Sequence, residues 1–400
     1  MKRLFVSMFS VTMLLCSCSQ SEDIIAGGGS DNADGLVPIN IGVTSLKTLT
    51  RGTGTVGAVG GDQGKNYWNA EKINVFMVKK NTTEIAEFDD GTTKTTIFDN
   101  AVFTTPSNDQ DPENILAVAE AGVKYYPGQN NFDFWGYRLD GAQLPDENGD
   151  DYTKTDEEIS IRFAIDGSQD VMVAKADLND EQKEDFARQD GVGEAKKDNY
   201  YSAFAARHGV QPTLNFKHLL TRLTFNVKAG KEEVVDNNVE VVGIRVKSKY
   251  TGKLVAVYTG NTYDEGQIVF DEDMENLSLQ QRDENSDNLK ALEPVAVTYS
   301  EDVNAPGLSV GEALLVAPQD DYEIQIVLQQ PNKTNSEKVP YTYTMKKVTT
   351  DSKLPFVAGT SYNITFIVYG LQEVKVTTTL EPWKEGDTIA PITPEDEDEN

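Results

Sequence analysis

Cysteine is almost missing from this 400-residue chain: it has two, Cys16 and Cys18, both at its start. No disulfide can brace the body, so stability must come from apolar cores large enough to stand alone. Histidine is equally scarce. His208 and His218 are the only two, and with no thiol beside them the body lacks raw material for zinc or copper centres and for Ser-His-Asp catalysis. Basic residues are few: 36 Lys and Arg stand against 65 Asp and Glu, a formal charge of -29. Nucleic acid is excluded as a partner, because phosphate binding needs clustered cations that displace counterions. The acidic surplus reads as surface charge that keeps an exported protein soluble, and it makes any pair of carboxylates uninformative as a glycosidase signature. No cofactor motif stands out, and past the first residues no apolar run is long enough to cross a bilayer.

What is present begins with an export signal. Lys2 and Arg3 precede an apolar run over residues 4–15, too short at about twelve residues to span a membrane. Leu15-Cys16-Ser17-Cys18 resembles a bacterial lipobox, with the small Ser17 before Cys18. Residues 1–17 are therefore expected to be removed and Cys18 acylated, anchoring the precursor to the outer membrane. Ser19, Gln20, Ser21, Glu22 and Asp23 resemble the acidic tag of Bacteroidetes lipoproteins sent to the outer surface, and the glycines that follow complete a flexible tether over residues 18–35.

Period-2 alternation dominates the rest and predicts an all-β protein. Val37, Ile39, Ile41 and Val43 share one face of a first strand placed at residues 36–47. Ile159 to Ile165, Leu223 to Val227, Tyr322 to Leu328, Val339 to Met345 and Tyr362 to Val368 repeat the pattern. Two stretches, 73–78 and 241–246, are apolar on both faces and should lie in mid-sheet. Short helices are expected at 177–188 and 279–292. The reading is two antiparallel β-sandwich domains with short helices in loops, over residues 36–211 and 212–383, then an acidic tail at 384–400.

Three local motifs need weighing. Gly52-Thr53-Gly54-Thr55-Val56-Gly57 fits a dinucleotide fingerprint in letters only, since neither a buried strand nor a helix flanks it. Asp146, Asn148 and Asp150, with Asp151, have the spacing of a calcium loop, but in so acidic a chain a solvated turn is the commoner outcome. Arg51-Gly52 is the most informative: a basic residue opens a glycine-rich loop, placed at 48–64, directly after the first strand. Such backbone can enter a protease cleft, and a cut there leaves the first strand attached only by noncovalent pairing.

Several segments together resemble the fimbrillin family of Bacteroidetes fimbrial subunits. They are the lipobox at Cys18, the first strand followed by Arg51, residues 215–225 (NFKHLLTRLTF), 354–365 (LPFVAGTSYNIT) and 382–386 (PWKEG). The resemblance implies transthyretin-like sandwiches and a non-enzymatic structural role in cell-surface fimbriae. It implies cleavage after Arg51 by an arginine-specific protease, release of the strand carrying Val37, Ile39, Ile41 and Val43, and entry of a strand from another fimbrial subunit, with a host or bacterial receptor for adhesion. Val374, Val376, Thr378 and Leu380 alternate as a donor should, though they read equally well as the last strand of the second domain; residues beyond Trp383, including Ile389 and Ile392, are the other candidate donor. The acidic tail fits a tip or accessory subunit, and a surface glycan-binding lipoprotein is the rival reading. Asp387-Thr388-Ile389 resembles a short O-glycosylation site. His218 is read as a packed structural residue.

Overall fold

The computed structural model describes residues 36–45, 68, 70–81, 96–106, 116–128, 130–259, 267–283, 288–302, 304–331, 338–350 and 352–381. Cys18, Arg51, Gly52, the glycine-rich motif and everything from Pro382 onward lie outside the described residues.

The alternation along the chain becomes strands, and the protein is mostly β. Seven strands close into a ring in the order Ile41–Ser45, Leu116–Ala119, Thr96–Thr104, Lys72–Lys79, Phe132–Arg138, Met172–Lys175 and Thr213–His218. This departs from the expected pair of open sheets. The cause lies in the first strand, which is hydrogen-bonded on both sides and so removes the two edges that would otherwise stay open. The ring is filled by Trp68, Ile73, Val75, Met77, Phe98 and Phe134, among others. Gly136 makes the filling fit: a Cβ there would lie 2.9 Å from Leu214 and from Phe216.

Two further sheets share a second core. One is built on Thr221–Ala229, Ser361–Gly370 and Glu373–Glu381; the other runs Met274–Ser278, Glu240–Lys249, Tyr322–Pro331, Lys338–Val348. Leu223, Phe225, Ile364 and Phe366 of the first meet Val241, Val246, Ile324 and Ile326 of the second in one apolar cluster. Lys72–Lys79 and Glu240–Lys249 both lie in mid-sheet, but only Lys72–Lys79 is buried on both faces, with Val75 and Met77 in the ring core and Phe76 and Val78 in the second core; Glu240–Lys249 alternates, with Arg245 and Lys247 exposed.

A fourth sheet pairs Glu158–Ala164 with Thr251–Tyr258. These are the two central strands of four and come from either side of residues 211–212, and Thr213–His218 belongs to the ring formed by the earlier strands. The helix expected at 177–188 is present as Asp180–Arg188, with Asn179 forming a capping box with Gln182. The helix expected at 279–292 is absent: Gln280–Arg282 pairs antiparallel with Leu289–Ala291. The turn-forming residues Asp283 and Asn288 favour reversal over a helix interior.

Candidate functional site

The first strand occupies a two-sided seat. Its inward residues alternate as the sequence requires: Ile41 and Val43 are fully buried, Val37 and Ile39 nearly so, while Leu36, Pro38 and Asn40 face out. Burying each apolar side chain contributes about 1.5–3 kcal/mol. On one flank the pairing is antiparallel, with Ile41 opposite Ala117, Gly42 opposite Leu116, and Pro38 bridging to Tyr125. Ile39 N donates to Lys124 O at 2.8 Å and Tyr126 N to Val37 O at 2.9 Å. On the other flank the strand runs parallel to Thr213–His218, from Gly42 opposite Thr213 to Ser45 opposite Phe216.

The floor of the seat is aromatic. Trp68 and Phe216 meet edge to face at 5.3 Å, and both are buried. Gln211 fastens the entrance: its Nε2 donates to Pro38 O at 3.3 Å, and its Oε1 accepts from Asn40 N at 3.3 Å and from the Tyr126 hydroxyl at 3.4 Å. Burial pushes the Tyr126 phenol well above its usual range, so it stays a neutral donor. The sequence gives no sign of Gln211 or Tyr126 in this role, because their partners are distant in the chain. Leu214 and Phe216 alternate visibly, but nothing local says that they floor the seat of a strand about 170 residues upstream.

Val374, Val376, Thr378 and Leu380 lie in the last described strand, Glu373–Glu381, which pairs antiparallel with Ser361–Gly370, from Ser361 opposite Glu381 to Gly370 opposite Glu373, with one irregularity between Val368 and Gly370. Val374 and Thr378 are buried, Val376 is half-buried, and Leu380 is exposed. The structure therefore does not bring these residues to the seat. They form the edge of another sheet.

The other candidates resolve as follows. His218 Nδ1 lies 2.7 Å from Asp170 Oδ2, with both side chains fully buried. Asp170 N also donates to Asp140 Oδ2 at 3.3 Å, and Asp140 pairs with Arg138. Burial raises the Asp140 carboxyl, the Arg138 guanidinium lowers it, and the net shift is upward. His208 Nδ1 lies 2.8 Å from Phe204 O at the end of a short helix. Asp146 folds its side chain onto its own turn, accepting from Asn148 N at 2.8 Å and Asp150 N at 2.9 Å. Among the described residues, no three acidic, His or Cys side chains converge as a metal site would require.

The first strand of this all-β chain completes a seven-stranded ring within the same chain. The profile of the fimbrillin-like family matches residues 50–383, and this chain belongs to that family. A cell-surface fimbrial or adhesive role, in association with other fimbrial subunits, follows from that membership. No curated protein matches the chain.

Among solved structures, the chain is similar to a Bacteroides uniformis protein assigned by inference to cell adhesion. The identity is 14%, with 88% of this chain and 100% of that one covered and a TM-score of 0.44. A Bacteroides ovatus protein with the same inferred assignment also gives 14% identity, 88% and 100% coverage and a TM-score of 0.42. The tip fimbrial protein Mfa3 of Porphyromonas gingivalis, C-terminally truncated, gives 9% identity, 86% and 99% coverage and a TM-score of 0.31.

Proposed function

We propose that this protein is a structural subunit of surface fimbriae, exported as a precursor acylated on Cys18, activated by cleavage after Arg51 and assembled by strand donation between subunits. The observation that carries the reading is the seat of residues 37–45. These residues complete a ring on both flanks, yet a single cut in the chain that follows would leave them held only by hydrogen bonds and apolar contact. Once vacated, the seat presents two unpaired strand edges and the buried ring core, which an alternating strand can refill. The accompanying fold proposal is two transthyretin-like units, the first drawn into a ring by the strand it later loses.

Two donors are compatible with this reading. Val374, Val376, Thr378 and Leu380 must first leave their ladder with Ser361–Gly370. Residues beyond Trp383, including Ile389 and Ile392, are the other candidate. Synthetic peptides of the two segments, titrated against cleaved protein, separate them.

The decisive test treats purified protein with an arginine-specific protease. The expected result is a cut after Arg51, loss of the residue 36–47 segment on mild denaturation, and oligomers that grow with concentration. Arg51→Ala should abolish the cut. Cleaved protein that releases its strand and stays monomeric would leave only an accessory or tip role, and a persistent cut in Arg51→Ala would move the processing site.

A further inference from the structure

At the Pro38 end of the seat the parallel ladder runs out of main-chain donors. The even-numbered residues of the first strand turn their backbone groups to this flank, where Gly42 N donates to Pro212 O at 2.9 Å. With Gly42 opposite Thr213, one further step of a regular parallel ladder would bring an N–H of residue 212 to the Asn40 carbonyl. Residue 212 is a proline and has no N–H, and Pro38 on the facing strand has none either. Two prolines, one on each strand, interrupt the ladder at the same place.

The side-chain amide of Gln211 stands in that gap. Its Nε2 donates to Pro38 O and its Oε1 accepts from Asn40 N, each at 3.3 Å, so one primary amide meets both the C=O and the N–H that a neighbouring strand would have met. The Tyr126 hydroxyl donates to the same Oε1 at 3.4 Å, which settles the end of the amide that carries oxygen. Tyr126 comes from the antiparallel flank, where its own N donates to Val37 O at 2.9 Å. These contacts reach only main-chain atoms of the strand, and the side chains of Pro38 and Asn40 face out.

We infer that Gln211 sets the register of any strand in the seat, by reading its main chain and not its side chains. For the first strand the inference stands on these contacts. Its extension to a replacing strand rests on the strand-donation reading.

A slip of one residue turns the apolar face outward, so burial alone forbids it. A slip of two keeps the alternation and needs another barrier. Sliding one way brings Pro38 to the place of Asn40, where it offers Gln211 Oε1 no N–H. Sliding the other way serves the amide with Asn40 O and Gly42 N but brings Ser45 to the place of buried Val43. The amide and the apolar pockets together leave one register. The occupant they select is an extended segment, apolar at alternate places, with any residue where Pro38 stands and no proline where Asn40 stands. Glu373–Glu381 contains no proline and meets the last condition in every register.

Hydrogen exchange read at single residues of the full chain is the first test. Gln211→Met keeps the length of the side chain and removes its amide. The Asn40 amide should then exchange at least about tenfold faster, while Gly42, bonded to Pro212 O, and Ile39, bonded to Lys124 O, stay within about twofold of the wild type. Unchanged exchange at Asn40 overturns the proposal. Equal acceleration at all three overturns it too, because Gln211 would then act by packing.

The second test uses the full chain cut after Arg51 and freed of its first strand, with two synthetic peptides of residues 36–47. One peptide carries an ester in place of the amide between Ile39 and Asn40, which removes the N–H that Gln211 reads. It should bind the wild type about fivefold more weakly than the all-amide peptide, yet bind Gln211→Met within about twofold of it. An equal loss in both proteins overturns the main-chain reading. If neither peptide enters the cut protein while the Asn40 exchange result holds, strand replacement is overturned and Gln211 is the register residue of the first strand alone.

Discussion

Asp170 and His218 illustrate how a residue-scale feature holds a strand of the seat in place. Both side chains are fully buried and His218 ends Thr213–His218, the strand that forms the parallel flank of the seat. Removing one partner of such a pair strands a charge or dipole in low dielectric and typically costs about 3–5 kcal/mol. Asp170→Ala should show that loss in urea unfolding. The double variant Asp170→Ala with His218→Leu should be less destabilised than two independent losses would give.

Asp133 makes a prediction about pH. Burial raises its carboxyl above the ordinary 3.8 by more than Lys175 and Lys80 lower it. The folded state therefore holds that proton more tightly than the unfolded chain does. Its contribution to stability is full below the unfolded value and is lost as pH rises through the raised folded value. Asp133→Asn should match the wild type at low pH and become the more stable of the two as pH climbs above that window. Urea melts across the range check it, and an advantage confined to acid would reverse the assignment.

At the scale of elements, the alternation at Val37, Ile39, Ile41 and Val43 was legible in sequence, because a buried face repeats every second residue whatever it packs against. Its partners were not legible. The parallel ladder joins residues about 170 apart, and no local propensity encodes such a pairing. For the same reason the closed ring was missed, since whether strands close or stay open depends on pairings at both flanks of one strand.

The misread helix at 279–292 failed differently. Leu279 is buried beside a short hairpin, and the polar run after it reverses instead of continuing as a helix. The candidate site was thus half readable: the inserted strand from its own residues, the seat only from the structure.

Edges carry a second lesson at this scale. The outer strand Lys338–Val348 holds Pro340, which cannot donate to a further ladder, and Lys347 at a φ of 59°, which distorts the edge. The edge strand Glu373–Glu381 has no proline. Strand addition is therefore discouraged at the edge formed by Lys338–Val348.

A chain beginning at Gly52 should expose the ring core, bind a hydrophobic dye and melt well below the full chain. A synthetic peptide of residues 36–47 should restore the melting temperature. A peptide with its alternation shifted by one residue should not, because the shift turns every apolar side chain outward.

On the scale of the whole molecule, division near residues 211–212 meets a physical difficulty. Thr213–His218 closes the ring of earlier strands, and Glu158–Ala164 completes a sheet with Thr251–Tyr258. Fragments 36–211 and 212–383 expressed apart should each be soluble only in part and exchange amide hydrogens rapidly. Mixing them should recover protected amides at Glu158–Ala164 and Thr251–Tyr258. Two separately stable fragments would show that the shared sheet contributes little.

That shared sheet has a mechanical consequence. In a fibre joined by the proposed strand donation, with the donor at the C-terminal end, tension would enter a subunit at the first-strand seat and leave through the C-terminal sheet that ends at Glu381. Between those points lies a ladder of seven residue pairs, from Thr251 opposite Ala164 to Tyr258 opposite Glu158, with Phe163 and Leu254 buried beneath it. Halves joined by a bare linker swing as a hinge, so a filament of them is limp and stretches first at its joints. Halves sewn together by a ladder behave as one stiff segment, leaving the joints between subunits as the compliant points of the filament.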